Sequence, residues 1–340
     1  MNHTRDAILA RLAHADAPVS GARLAHELNI SRTAIWKHIR TLQRAGIHIH
    51  AHRGRGYVLT SDVLSAYSIK QRLNTRLLGQ SCVVLDEVDS TNSEGMRRAN
   101  EGAREGLVVL ADRQTSGRGR LQRRWHTIAE HTLTMSILLR PPLSPKKIPQ
   151  ISLLAAVALH NALSLFAPDI KIKWPNDILY HGRKMAGILT EMRAEPGRVQ
   201  AVVVGMGINV HTPEKSWPED IAATATDLDT ASGHAVSRME TAARILESME
   251  RYYLDYLAHG FGPVREQWWQ AHAACGKQVR VYDGLRYIEG IAEDLDEDGA
   301  LLLRTHAGLQ RIVAGDLELM ENNNHPTPDK PGSYNGGHIS

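Results

Sequence analysis

The sequence predicts a three-part chain of α/β class: a small helical module closed by a hairpin, an α/β body, and a C-terminal barrel of short strands. Three observations predict it. Apolar residues recur at helical spacing before residue 46 and alternate just after it, strand-like and helix-like runs mix between about residues 81 and 272, and Asp283-Gly284 and Asp298-Gly299 punctuate short strands beyond Gly276. A length of 340 residues suits two or three domains of roughly 100 to 200 residues each.

In the first module, Ile8, Leu9, Leu12 and Ala13 mark one helical face, and Leu24, Ala25 and Leu28 mark a second, which Ser20 caps. A third helix runs from about Ser31 to Ala45, burying Ile35, Ile39 and Leu42 and stopping at Gly46. Ile47 to Ala51 alternates with period two, Arg53 to Gly56 turns, and Tyr57-Val58-Leu59 returns as the second strand. Three helices, the last two joined tightly at Asn29-Ile30, followed by a hairpin make a winged helix-turn-helix over residues 1–62. Arg32, Thr33, Trp36, Lys37 and Arg40 share the third-helix face opposite the apolar stripe, and Arg53 and Arg55 sit at the wing tip. These are the candidate DNA-binding residues. Charge agrees: residues 1–65 carry a net +5 while the whole chain is +3, so the body is close to neutral. A protein-binding wing, or a solvated basic face, is the alternative. His48, His50 and His52 lie on one side of a wing strand, but no carboxylate or thiol is interleaved, so they read as solvent-facing and not as metal ligands.

With 42% hydrophobic and 23% charged residues the chain can bury an ordinary core. Its most apolar stretch, Ile151 to Ala167, is interrupted by His160 and Asn161 and falls short of the roughly 20 apolar residues that cross a bilayer, so no membrane association is expected. The N-terminus is amphipathic without a secretory pattern, and Cys82 and Cys275 form no CxxC pair. A cytoplasmic protein with reduced thiols is expected, without a disulfide framework or structural zinc. Residues 63–80 read as a linker with one short helix, 81–272 as the α/β body, 273–320 as the barrel, and 321–340, rich in Asn, Pro and Gly, as a disordered tail.

The densest chemical signal is Gln114 to Trp125. Arg113, Arg118, Arg120, Arg123 and Arg124 fall together with no acid between Asp112 and Glu130, and Gly117 and Gly119 permit close backbone approach. An anionic ligand is implied, on a loop held open by charge repulsion and disordered until the anion closes it. A plain basic surface loop is the alternative. Further on, Lys171 to Asp177, Arg183 to Leu189 and Gly205 to Val210 are apolar strands ending in Gly, Asn, Asp or Lys, the pattern of polar groups delivered to one sheet edge. No dinucleotide fingerprint and no Walker P-loop is present, so a nucleotide would bind through the arginine loop.

Taken in order, Asp89-Ser90-Thr91-Asn92, Gly117-Arg118-Gly119-Arg120 with Trp125, Lys173-Trp174-Pro175-Asn176-Asp177, Lys184 to Leu189 and Gly205 to Asn209 resemble the biotin protein ligase family. Ser31 to Ile39 with Gly54-Arg55-Gly56-Tyr57 resembles the DNA-binding arm of its bifunctional form, the biotin operon repressor. The likeness spans about residues 5 to 320. It implies a mixed sheet related to class II aminoacyl-tRNA synthetases and lipoate ligases, with an SH3-like C-terminal barrel. The implied activity is formation of biotinoyl-5′-AMP from biotin and ATP with Mg²⁺, then transfer of biotin to a lysine of the biotin carboxyl carrier protein of acetyl-CoA carboxylase. A homodimer carrying the adenylate would bind operator DNA and repress biotin synthesis genes.

By the same resemblance Arg118, Arg120 and Lys184 are catalytic. Ser90, Thr91, Asn92, Gln114, Gly117, Arg118, Gly119, Arg120, Lys184, Gly187 and Gly205 bind biotin. Arg118, Arg120, Arg123, Trp125, Asn176, Lys184 and Asn209 bind ATP, and Asp177 and Asn209 face Mg²⁺. The chain departs from the family pattern at Gln122, where a third loop glycine is usual, at Met320, where some relatives carry an arginine, and in Pro213 to Ala225, which holds Trp217 but lacks an aromatic nearer its end. A ligand sensor without catalysis need not keep Lys184, Asp177 and Arg120, and a lipoate-type transferase should lack the Gly-Arg-Gly-Arg loop.

Overall fold

The computed structural model describes residues 3–13, 15, 17–44, 47, 49–52, 54–59, 64–213 and 217–320. Arg53, His48, the expected third-helix stop at Ala45-Gly46 and the expected tail 321–340 lie outside the described residues.

Three helices, α1 (His3–Ala13), α2 (Gly21–Glu27) and α3 (Arg32–Arg44), precede the antiparallel hairpin β1 (Ile49–His52) and β2 (Gly56–Leu59). Ile8, Leu9, Leu12, Leu24, Ile35, Ile39, Leu42 and Ile49 form one small core. Ala13, expected to face inward, is exposed because α1 ends there, past the core. The Ser20 and Ser31 hydroxyls each accept a backbone N–H at 3.1 Å, from Arg23 and Ala34, which satisfies orphan amides at the starts of α2 and α3.

Helix α4 (Ala66–Arg72) follows, and Leu64, Ile69 and Leu78 enter the core of the body. The body is built on β3 (Ser81–Val88), α5 (Thr91–Asn100), β4 (Leu107–Gln114), β5 (Thr132–Leu139), α6 (Ile148–Leu163), β6 (Ile170–Lys173), β7 (Asp177–Tyr180), β8 (Arg183–Glu195) and β9 (Arg198–Asn209). Its seven strands run in the order β3-β4-β5-β9-β8-β7-β6; β3 and β4 are parallel, bridged by α5, and the other neighbours are antiparallel. Strand β5 and most of β9 are buried on both faces, which is why they read as apolar runs without alternation. The short α7 (Glu219–Ala222) and α8 (Leu228–Ser232) lead to α9 (Arg238–His259), whose N-terminal Ser237 accepts the Glu240 N–H, and to α10 (Gly262–Ala271). The acid Glu250 of α9 is buried and accepts the backbone N–H groups of Arg76, Leu77 and Leu78 at 2.7, 2.7 and 2.8 Å, tying the entry of the chain to the body. Sequence periodicity misses β7, which is only four residues long, and α10, which buries just Val264 and Trp268.

Strands β10 (Gln278–Tyr282), β11 (Tyr287–Leu295), β12 (Leu301–Thr305), β13 (Gly308–Ile312) and β14 (Asp316–Leu319) form an all-antiparallel sheet in the order β13-β12-β11-β10-β14. The ladder keeps two edges, since β13 and β14 are not paired, so the expected barrel is an open one among the described residues. Val279, Val281, Leu301, Leu303 and Leu317 belong to the same core as α6 and α10. That seating brings Gly315 and Asp316 against the arginine loop. Among the described residues no helix is long and apolar enough to cross a membrane.

Candidate active site and nucleic-acid interface

The floor of the site follows from the period-two geometry of strands. In β9, Gly205, Gly207 and Asn209 face one side, and the register places them in cross-strand rows. One row is Ser136, Gly205 and Leu189; the next is Thr134, Gly207, Gly187 and Asp177. The glycines leave room for side chains lying flat on the sheet. A Cβ on Gly205 would stand 2.0 Å from Asn92 Oδ1, and one on Gly207 would stand 2.3 Å from the Trp125 ring. Asn92 and Trp125 therefore cover two adjacent rows, and between them lies a cavity of about 250 Å³. The Trp125 Nε1–H is buried there with no partner among the described residues.

At one end, β3 turns into α5. The Asp89 carboxylate, held down to about 2 by the Arg97 guanidinium, accepts the Ser90 N–H at 2.8 Å. Ser90 occupies the N-cap position, yet its hydroxyl makes no capping bond and lines the cavity. The Gln114 Oε1 accepts both the Thr91 N–H at 2.8 Å and the Thr91 hydroxyl at 3.1 Å, which leaves its amide NH₂ for a ligand. Asn92 is saturated by the protein: its NH₂ donates to the Leu189 carbonyl at 3.0 Å and to Glu191 at 2.8 Å, and its carbonyl lies 2.7 Å from the Ser136 hydroxyl. Sequence reasoning misses Ser136 and Glu191. Ser136 hides in the apolar run of β5, whereas Glu191 shares the β8 face of Gly187 and Leu189, and period two could have found it.

At the other end, Lys184 Nζ is 2.7 Å from Asp177 Oδ1 and 5.8 Å from the Trp125 ring centroid. The ammonium lies over Gly187, where a Cβ would meet it at 3.1 Å. The Lys184 backbone pairs with Thr224 and Thr226, so the segment around Trp217, Ile221, Thr224 and Ala225 walls this end of the cavity. Asn176 Nδ2 donates to the Ile188 carbonyl and Asn209 Nδ2 to Thr226, which leaves the oxygen of each amide available.

The arginine loop departs from expectation. It is folded into a hairpin, with Trp125 N–H on Gly117 O at 2.9 Å, Gly119 N–H on Arg123 O at 2.7 Å and a turn at Arg120–Gln122. Repulsion is relieved because the guanidiniums have separate acceptors. Arg113 pairs with Glu87, outside the cavity. Arg118 donates to Ser93 Oγ at 3.0 Å and lies 3.4 Å from Glu191. Arg120 reaches the Gly315 carbonyl at 3.2 Å, and Arg123 pairs with Asp316. Burial pulls the Arg120 guanidinium below its usual value, while Asp316 and Asp177 act the other way. Arg124 lines the cavity with no ion pair among the described residues. Gly117, expected to touch ligand, is not in the cavity wall; its missing Cβ makes room for the Trp125 carbonyl oxygen, which a Cβ there would meet at 2.7 Å. Gly119 does line it.

Gln122 has φ +59, and Leu121 before it has φ +52. Side chains disfavour this region by roughly 1 to 2 kcal/mol. For the adenylate that the resemblance implies, Gln122→Gly is expected to slow dissociation and Gln122→Val to speed it, each by about threefold given some offset from chain entropy. Dissociation of labelled adenylate from the two variants checks the order.

In the first module, Arg32, Thr33, Trp36, Lys37 and Arg40 are all exposed on α3, and the Arg40 guanidinium lies 5.6 Å from the Trp36 ring. A groove of about 760 Å³ runs between this helix and the wing, lined by Arg32, Thr33, Trp36, His52, Arg55 and Tyr57 among others. Arg53 lies outside the described residues. His50 and His52 are exposed, and no cluster of potential metal ligands occurs among the described residues.

A mixed sheet carrying a lysine, a folded arginine loop and a polar cradle, joined to a winged helix, makes this a two-function chain: a pocket for an anionic small ligand beside a helix-turn-helix arm. Residues 84–209 match the Biotin/lipoate A/B protein ligase family, 4–58 an HTH domain, and 274–320 the Biotin protein ligase C terminal domain. The chain belongs to the bifunctional ligase/repressor family of biotin protein ligases. It is 40% identical over 304 residues to the bifunctional ligase/repressor BirA of Bacillus spizizenii, covering 88% of this chain and 94% of that protein. It is 35% identical to the biotin–[acetyl-CoA-carboxylase] ligase of Paracoccus denitrificans, over 69% of this chain and 98% of that one. The biotin protein ligase of Aquifex aeolicus, solved with biotin and ATP, superposes with a TM-score of 0.61 at 28% identity, covering 71% of this chain and 99% of that chain.

Proposed function

We propose that this chain activates biotin and delivers it to protein. The carboxylate of biotin attacks the α-phosphate of ATP and pyrophosphate leaves; the ε-amine of a lysine on the biotin carboxyl carrier protein of acetyl-CoA carboxylase then attacks the acyl carbon and AMP leaves. The observation that carries this reading is one cavity with unspent hydrogen-bonding groups at one end and Lys184 with Arg120 at the other. Ser90 Oγ, the Gln114 amide and backbone near Arg118 suit a ureido ring, while Leu189, Gly187 and Gly205 form an apolar floor for its chain. The two rows are one strand period of about 7 Å apart, so a short acyl chain spans from cradle to lysine.

The reaction brings two anions together, so its transition state needs fixed cations in a site shielded from water. Lys184 serves the attacking carboxylate and the α-phosphate, Arg120 a phosphate oxygen, and Arg124 the outer phosphates. Arg123 can join them only by leaving Asp316, and Arg118 acts from the loop's anchor on Ser93. Trp217, Ile221 and Ala225 line the Lys184 end of the cavity, and in this reading they cover adenine. Magnesium comes with the triphosphate as part of the substrate. Asp177 and the Asn209 carbonyl supply two oxygen donors, and with the Asp177 charge already offset by Lys184 this set suits a phosphate-borne ion better than a resident one.

The adenylate is also the corepressor in this reading: the loaded chain forms a homodimer that sets two α3 helices and wings on an operator. Pyrophosphate release with biotin against lipoate tests the ligase; equal or faster release with lipoate overturns it. Gel filtration and operator binding with and without biotin plus ATP test the repressor, which requires tighter DNA binding in the loaded state.

A further inference from the structure

We infer that Glu191 is a positioning residue that joins the biotin cradle to the arginine loop, an inference that rests on the ligase reading. Its two carboxylate oxygens serve different elements. Oε2 accepts from Asn92 Nδ2 at 2.8 Å, and Oε1 faces Arg118 Nη2 at 3.4 Å, which also donates to Ser93 Oγ at 3.0 Å. Asn92 and Ser93 belong to the first turn of α5, Glu191 to β8, and Arg118 to the loop that covers the cavity. One acid thus fixes a cradle side chain and pins the loop's first arginine.

Neither neighbour can substitute. Asn92 has already given its second N–H to Leu189 and its carbonyl to Ser136, so without Glu191 it keeps a buried donor unpaired. Arg118 has no other carboxylate among its described partners. The two links differ in strength. The ion pair is long and more than a third exposed on both sides, so solvent screens it; the hydrogen bond from the Asn92 amide is short and its donor is buried.

Two substitutions separate the links. Glu191→Gln keeps an oxygen for Asn92 and loses the charge that holds Arg118; Glu191→Ala loses both. E191Q is expected to leave biotin affinity within about twofold of the parent while adenylate dissociates about twofold to fivefold faster, the size of a screened ion pair. E191A is expected to show that faster loss and a biotin affinity weaker by about tenfold or more, the effect of one unpaired buried donor. In the Arg118→Met background, E191Q is expected to add nothing to adenylate loss. The measurements are biotin binding by calorimetry, adenylate release by stopped flow, and thermal unfolding to confirm that each variant is folded. Equal adenylate release from E191Q and the parent, or an additive loss in the double variant, overturns the role of Glu191. Failure of the unaltered chain to form adenylate overturns the ligase reading instead.

Discussion

Lys184→Gln is expected to lower the rate of adenylate formation by about two to three orders of magnitude, the usual effect of removing one fixed charge from a transition state. The ammonium is held from three sides. Asp177 contacts it at 2.7 Å, the Trp125 face lies beyond it, and Gly187 beneath it has no Cβ to displace it. A glutamine side chain in its place would be shorter, keeping a weak donor but not the charge. Lys184 is two-fifths exposed, so the ion pair with Asp177 gives little to stability and the unfolding midpoint should barely move. Biotin binding should weaken much less than catalysis, since the cradle lies a row away. Burst measurements of pyrophosphate beside biotin titrations distinguish the two; a variant that adenylates at the parent rate removes Lys184 from the chemistry.

Gly205→Ala is expected to weaken biotin binding by about tenfold to a hundredfold while leaving the protein folded. The new methyl would stand 2.0 Å from Asn92 Oδ1 and 2.7 Å from its Cγ. Asn92 cannot swing aside freely, because Leu189, Glu191 and Ser136 hold all three of its polar positions. Displacing it also disturbs Thr91, its neighbour, whose hydroxyl lies 2.7 Å from the same Ser136. The sheet itself tolerates the methyl, since alanine is at home in extended backbone. Calorimetry with biotin and a thermal melt check both halves.

Much of this site was legible in one dimension. The winged module, α3 with its exposed Arg32 to Arg40 face, and the strands ending near Asp177, Lys184 and Gly205 follow from local periodicity, which the structure keeps because each face has one core to bury. What escaped was set by pairing across strands. That Gly205 exists for Asn92 and Gly207 for Trp125 depends on how β9 lies beside β5 and β8, and no local pattern encodes that register. Asp316 escaped for the same reason: it meets Arg123 only because β14 is seated on the body. The order of the loop is hidden because summing its charges leaves out their acceptors. Glu87, Ser93, Glu191 and the adjacent pair Gly315-Asp316 lie on four other stretches of chain.

The neighbouring glycines of β8 and β9 give the cavity floor only peptide planes of its own, on which Asn92, Trp125 and Lys184 rest. Peptide planes have no rotamers, so this surface cannot yield to a bulkier acid by turning a side chain. Anyone wishing to load the enzyme with a modified cargo has to carve the wall, at Trp217 or Ile221, where trimming a side chain opens volume without touching the ladder.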